Sequence, residues 1–287
     1  MFDKMLCLIG EQPVPNLLPI KRLKPQEVVL FYTDFTKLRS TYLEPVLVEA
    51  GISITHKQIN NPYNITEISP IIAEEIAASR SAVLLNLTGG TKPMAFAGLE
   101  ASRRYKTPFC YLQSHVGNNL CLYEWLDDTL VLRNMYEMHQ DLVTIHDYLR
   151  IHMGDYCQAD FGDTFETSVY ETLKPHVSEI KHSVRKGGSL EIDLVIRCGN
   201  IVGIAEIKTG KSARHKAGLD QLNAACAREL LGHTKKFLIV DREYPPNNKE
   251  LAMARNINVV ELNESTDKNR VADGDKEKLI SAIVDNL

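Results

Sequence analysis

The chain has 287 residues, 44% hydrophobic and 24% charged, with 33 Lys and Arg against 37 Asp and Glu for a formal net charge of −4. This is the balance of a soluble globular protein long enough for two domains, and it excludes a molecule that coats nucleic acid through bulk positive charge, so such a partner must meet a local basic patch. No basic leader and no apolar stretch of membrane-spanning length stands out, so a cytoplasmic protein with no membrane partner is expected.

In chain order, residues 4–9 and 28–32 read as strands, 36–50 as a helix with Pro45 marking a kink, and 52–58 as a strand. A helix over 65–79, a strand over 82–87, a helix over 93–105 and a strand over 108–113 follow. This alternation predicts a parallel sheet wrapped by helices. Residues 119–125 and 129–133 flank Asp127-Asp128 as a closing hairpin, 135–153 read as a connecting helix, and 154–162 as a linker. The second half changes order. A helix over 164–173 precedes strands over 176–184, 190–197 and 201–208, then come a helix over 213–231, a strand over 236–240, a helix over 247–255, a strand over 258–261 and a last helix from 275. The expected division is residues 1–135, a connection over 136–154, and 155–287. The six cysteines (Cys7, Cys110, Cys121, Cys157, Cys198, Cys226) form no CxxC pair and read as free thiols of a reducing compartment.

Residues 191–208 hold the densest chemistry. Asp193 lies within one apolar strand, and Glu206 and Lys208 stand two apart on the next, on one face. Ile201, Val202, Ile204, Ala205 and Ile207 make that strand apolar on both sides, where acids and a lysine are costly unless something charged joins them. Two carboxylates suit a hard divalent cation, Mg²⁺ or Mn²⁺, and the lysine suits a scissile phosphate or its water. Glu166, on the preceding helix, is a candidate third metal ligand, and Gln221, on the following helix, a candidate for orienting phosphate or water. Glu191 reads equally as an extra ligand or as a polar strand end. Arg185, Lys186, Lys211, Arg214 and Lys216 surround this region with positive charge suited to a nucleic-acid backbone.

Over about residues 155–265 this arrangement resembles the PD-(D/E)xK nuclease superfamily. Asp193 matches its aspartate, Glu206 and Lys208 its ExK pair, Glu166 its helix glutamate and Gln221 its helix glutamine. The proline of the motif is absent, since Ile192 precedes Asp193. The resemblance implies a restriction-endonuclease-like domain and metal-dependent cleavage of DNA or RNA.

In the first half, the strand ending at Leu87 runs into a helix through Thr88-Gly89-Gly90-Thr91-Lys92-Pro93. Such a turn offers backbone N–H groups and a helix N-terminus to an anion, although it matches neither a dinucleotide fingerprint nor a Walker loop. Residues 10–19, with three prolines, read as a second stiff loop at a strand's carboxyl end, where open α/β sheets bind ligands. These two segments resemble the CRISPR-associated Rossmann fold (CARF) domain over about residues 1–135. The resemblance implies a homodimer that binds a cyclic oligoadenylate, cyclic tetra-adenylate being usual beside a PD-(D/E)xK domain. It assigns Gln12, Asn16, Asn86, Thr88, Gly89, Gly90, Thr91 and Lys92 to the ligand. The two resemblances together imply an oligoadenylate-activated endonuclease of type III CRISPR defence. A ligand-sensing regulator that grips nucleic acid without cutting it, and a constitutive restriction or repair endonuclease, are the competing expectations.

Overall fold

The structure is a computed structural model that describes residues 2–113, 119–138, 141–188, 190–227, 230–232, 234–265 and 270–287. The chain forms a mixed α/β protein of two compact units, residues 1–143 with 150–152, and residues 144–149 with 153–287.

In the first unit β1 (Lys4–Leu8), α1 (Val14–Leu23), β2 (Glu27–Tyr32), α2 (Lys37–Glu49), β3 (Ser53–Gln58), α3 (Ile65–Ala78), β4 (Val83–Asn86), α4 (Lys92–Tyr105) and β5 (Phe109–Gln113) alternate. The hairpin β6 (Asn119–Leu126) and β7 (Thr129–Glu137) follows. Among the described residues the sheet order is β3-β2-β1-β4-β5-β6-β7. The pairs from β3 to β5 are parallel, and β5-β6 and β6-β7 are antiparallel. β1 and β4 are buried along their whole length, as strands covered by helices on both faces must be. Because chain order reverses between β1 and β4, the loops leaving their carboxyl ends open a crevice at the switch point of the sheet.

Two expectations change here. Residues 10–19 do not form a loop throughout, because α1 begins at Val14 and takes in Pro15 and Pro19. A proline in the first turn loses nothing, and the acceptor that Pro19 leaves open is satisfied from outside the helix, as described below. The connecting helix expected over 135–153 is shorter: β7 runs on to Glu137 and the helix α5 spans only Ile145–Met153, with residues 139 and 140 outside the described ones. At Pro45, α2 continues to Glu49.

The second unit contains β8 (Cys157–Gln158), α6 (Thr164–Leu173), β9 (Glu179–Lys186), β10 (Leu190–Cys198), β11 (Ile201–Lys208), α7 (Ala217–Ala225), β12 (Lys235–Val240), α8 (Pro246–Ala254), β13 (Ile257–Glu261) and α9 (Asp273–Val284). Its sheet runs β13-β12-β11-β10-β9-β8 among the described residues. β8 lies in the segment expected as a linker. α7 is shorter than the helix expected over 213–231, of which 228 and 229 lie outside the described residues. Phe165, Val169 and Leu173 of α6 and Leu279 and Ile283 of α9 pack with Leu194, Ile196, Ala205, Ile207, Phe237 and Ile239 on one face of the sheet. The intervening residues of β10 and β11 therefore face the other way, toward α7.

Candidate functional site

The antiparallel register sets Leu194 opposite Ala205, and one step further brings Asp193 beside Glu206 on that second face. The Ile207 N–H donates to Asp193 Oδ2 at 2.7 Å, so the side chain takes the place of a ladder acceptor where the strands separate. Lys208 Nζ donates to Glu206 Oε1 at 2.6 Å and lies 3.8 Å from Asp193 Oδ2. Glu206 is only 3% exposed. Burial pushes the Glu206 carboxyl far above the usual carboxylate range, and the neighbouring Asp193 charge pushes it further. Asp193 is raised as well, chiefly by burial, against the pull of Lys208 and the Ile207 N–H. For Lys208 burial acts downward, but Glu206 and Asp193 outweigh it and its ammonium is held charged above its ordinary range. One cation thus serves two buried acids, which is a site short of positive charge.

Glu166 stands at the N-terminal turn of α6, where Asp163 caps the helix by accepting the Glu166 N–H at 2.8 Å. Its own carboxylate accepts the Gly162 N–H at 2.8 Å. A Cβ on residue 162 would stand 2.9 Å from both Glu166 oxygens, so the glycine makes room for them. Burial and then the Asp193 charge raise Glu166, which places it within electrostatic reach of the pair. Among the described residues no group of three or more His, Cys, Asp or Glu side chains is arranged to hold a metal ion. Asp193 and Glu206 stand side by side, and Glu166 accepts the Gly162 N–H within electrostatic reach of Asp193. A hard cation that keeps several waters and takes one or two protein carboxylates fits such a pair.

Gln221 lies on α7 and is exposed, one turn beyond Gly218. At Gly218 a Cβ would meet Leu238 Cδ1 at 2.6 Å and Lys208 Cγ at 3.4 Å, so the helix backbone rests directly on the acid-bearing strands. Glu191 is exposed and paired with Arg185 Nη2 at 2.5 Å. Two further residues were not singled out in the sequence. Ser183 stands across β9 from Asp193 with φ +48° and is buried, a left-handed backbone that only the register reveals. Asp241, buried at the end of β12, accepts the Gly210 N–H at 2.9 Å and binds the Arg242 guanidinium, so it fixes the turn that follows Lys208.

In the first unit the loop after β4 packs against the end of β1. A Cβ on Gly89 would lie 2.1 Å from the Leu8 carbonyl oxygen, and Gly90 has φ +74°. Both positions therefore require glycine. Asn16 and Asn86 are 0% exposed. Asn16 Nδ2 donates to Leu8 O at 3.0 Å, and Asn86 Nδ2 donates to Pro15 O at 3.1 Å and to Asn16 Oδ1 at 3.2 Å. The Thr88 hydroxyl donates to Asn86 Oδ1 at 2.7 Å and accepts the Leu112 N–H at 2.8 Å. The Thr91 hydroxyl donates to Pro62 O at 2.7 Å and caps α4 through the Met94 N–H at 3.3 Å. These four side chains hold the loops together. Of the other residues expected at the ligand, Gln12, Gly89 and Gly90 are half-buried and Lys92 is exposed.

Residues 5–148, half of the chain, match the Card1 CARF domain. The chain belongs to this CARF family. Its fold is similar over nearly its whole length to protein VC1899 from Vibrio cholerae, at 16% identity and a TM-score of 0.75, covering 97% of this chain and 98% of that one. It is equally similar to Can2 from Sulfobacillus thermosulfidooxidans, solved in complex with cyclic tetra-adenylate, at 16% identity and a TM-score of 0.74, covering 99% and 97%. A type III CRISPR defence DNA nuclease activated by cyclic oligoadenylate matches at 18% identity and a TM-score of 0.69, and this CARF chain spans 52% of it. No curated protein matches the sequence. No helix among the described residues is long and apolar enough to cross a membrane.

Proposed function

We propose that the chain is a cyclic-oligoadenylate-activated, divalent-metal-dependent endonuclease of type III CRISPR defence, with a CARF sensor over about residues 1–135 and a PD-(D/E)xK nuclease core over about 155–287. The observation that carries the nuclease half is the largely buried trio of Asp193, Glu206 and Lys208, two adjacent acids sharing one lysine at 3.8 and 2.6 Å. Such a pair is expensive for a fold to keep and is relieved by a cation. Asp193 and Glu206 would hold Mg²⁺ or Mn²⁺, which when bound supplies a polarised phosphoryl oxygen and an acidified water. Lys208, already charged beside the acids, stabilises the negative charge that develops on the phosphate oxygens. Glu166 adds negative charge near Asp193 and accepts hydrogen bonds from water, while Gln221 orients the substrate.

For the sensor half, family membership and the similarity to Can2 with its bound ligand support cyclic tetra-adenylate. Lys92, Gln12 and the backbone at Gly89 and Gly90 bind its phosphates and sugars, and the chain works as a homodimer because a two-fold symmetric ring uses one patch twice. Ligand binding then shifts the population toward the cutting state.

The test is incubation of the purified protein with plasmid DNA and with labelled RNA, with Mg²⁺ or Mn²⁺, and with cyclic tri-, tetra- or hexa-adenylate or none. Cleavage that needs both metal and the tetra-adenylate is expected. Equal cleavage without any oligoadenylate makes the chain a constitutive endonuclease, and retention without cleavage makes it a binding regulator.

A further inference from the structure

Beside the acid pair lies a cleft of about 570 Å³, lined by Arg185, Gly187, Gly188, Glu191 and Gln221 among others. It adjoins the pair on the same face of the sheet: Glu191 precedes Asp193 by two residues on β10, and Gln221 follows Gly218 by one turn on α7. Its volume is that of a small-ligand site. A Cβ on Gly187 or Gly188 would meet nothing within 4 Å, so the backbone of this wall is uncrowded.

Arg185 and Glu191 are directly opposite each other on β9 and β10, with the guanidinium donating to Glu191 at 2.5 Å. Their side chains are 45% and 51% exposed. An ion pair that open to water is worth little, so a better anion displaces it at small cost. A phosphodiester is such an anion, since its oxygens match the planar fork of arginine. Glu191, once released, opposes the polyanion, so the pair holds the arginine occupied until a phosphate that outcompetes the carboxylate arrives.

We propose that this cleft seats the nucleotide adjoining the scissile phosphate of a single nucleic-acid strand, and that Arg185 exchanges Glu191 for a substrate phosphate as that strand enters. This rests on the nuclease reading of the acid pair. Gln221, with both a donor and an acceptor, contacts the sugar or base of that nucleotide.

The experiment is binding of a fluorescent single-stranded oligonucleotide by anisotropy, in EDTA so that no cutting occurs, with saturating cyclic tetra-adenylate. Arg185→Ala is expected to weaken binding about tenfold or more and to lower the slope of log affinity against log salt by about 1. Glu191→Gln is expected to tighten binding by about two- to fivefold, the worth of an exposed pair, and to do so only while Arg185 is present. If Glu191→Gln tightens binding equally in an Arg185→Ala background, its effect is general charge removal and the exchange is overturned. Weaker binding in Glu191→Gln with a lowered Tm makes the pair structural and also overturns it, as does the absence of oligonucleotide binding by the wild-type protein. Cleavage is read separately in Mg²⁺ or Mn²⁺: a wild-type protein that binds with this pattern in EDTA yet does not cut with metal sinks the nuclease reading and the scissile-phosphate placement, and leaves the exchange at Arg185 standing.

Discussion

The Asn86 side chain donates to the Pro15 carbonyl at 3.1 Å, the acceptor that Pro19, having no N–H, leaves open one turn later in α1. A proline defect in one element is thereby closed by a buried amide from another, and the loops after β1 and β4 are locked at the same time through Asn16. Asn86→Ala removes donors to two buried oxygens, which costs about 1–3 kcal/mol for each group left unsatisfied. A fall in the urea midpoint with an unchanged m-value is expected, together with weaker cyclic tetra-adenylate binding in calorimetry. Asn86→Asp removes the donor and adds a charge at a fully buried site, so it is expected to be worse than alanine.

The raised carboxyls of the second unit set a pH dependence. An acid whose folded pKa lies above its unfolded value contributes no penalty while both states are protonated, and destabilises as pH rises, because the unfolded chain ionises first. For Glu206 and Asp193 the loss begins near the ordinary carboxylate range and continues upward until the folded pair has ionised. His182, lowered by burial, works in the opposite direction below the ordinary histidine range, and the lowered Glu75 and Glu261 have contributed in full once pH is above the ordinary carboxylate range. The contrast with Glu206→Gln isolates the pair. Wild-type protein in EDTA is expected to lose Tm relative to Glu206→Gln as pH rises from 5 to 9, and Mn²⁺ should restore wild-type Tm more strongly at the alkaline end, since binding must displace the proton. Parallel Tm curves for the two proteins would remove the basis of this prediction.

The legible parts of the chain were those where local pattern and tertiary environment agree. β10 and β11, expected over 190–197 and 201–208, appear as Leu190–Cys198 and Ile201–Lys208, because apolar runs bounded by the Gly199-Asn200 turn leave little choice. The side-by-side placement of Asp193 and Glu206 followed from the same alternation. α1 was hidden because its prolines argue against a helix locally, and its rescue comes from Asn86, more than sixty residues away. β7 was cut short for a related reason, since Asn134 and Glu137 disfavour strands locally, while Tyr136 and Glu137 pair with Leu120 and Asn119 across the hairpin. The positive φ of Ser183 and the clamp of Asp241 on Gly210 arise from register and burial, which no single-sequence spacing encodes. The duties of Asn16, Asn86, Thr88 and Thr91 were similarly illegible: polar residues in a ligand-like loop look alike whether their side chains face a ligand or each other.

That division of duties in the loop is testable. Thr88 and Thr91 spend their hydroxyls on Asn86, Leu112, Pro62 and Met94, whereas Lys92 is exposed. Lys92→Ala is therefore expected to weaken cyclic tetra-adenylate binding by about tenfold with little change in Tm, the loss of one charge-assisted contact to phosphate. Thr88→Val should lower Tm and ligand affinity together, because it unties β4 from β5 before any ligand arrives. Full ligand affinity in Lys92→Ala would count against the crevice as the binding site.

Lys208 separates holding from cutting. Its ammonium pairs with both Asp193 and Glu206, and its stem packs under Gly218 of α7. Lys208→Met keeps the apolar stem and removes the charge, leaving two buried acids without a counter-ion. In EDTA this variant is expected to be less stable than wild type, because an unpaired buried charge is costlier than a missing pair. With Mn²⁺ present the acids regain a cation, so Tm should rise by more than in wild type. Cleavage should still fall by about a hundredfold or more, the scale of losing one preorganised charge aimed at the reacting oxygens. The two readouts together decide the assignment: a variant that regains stability with metal and stays inactive places Lys208 at the phosphate, whereas one that regains both leaves it a counter-ion only.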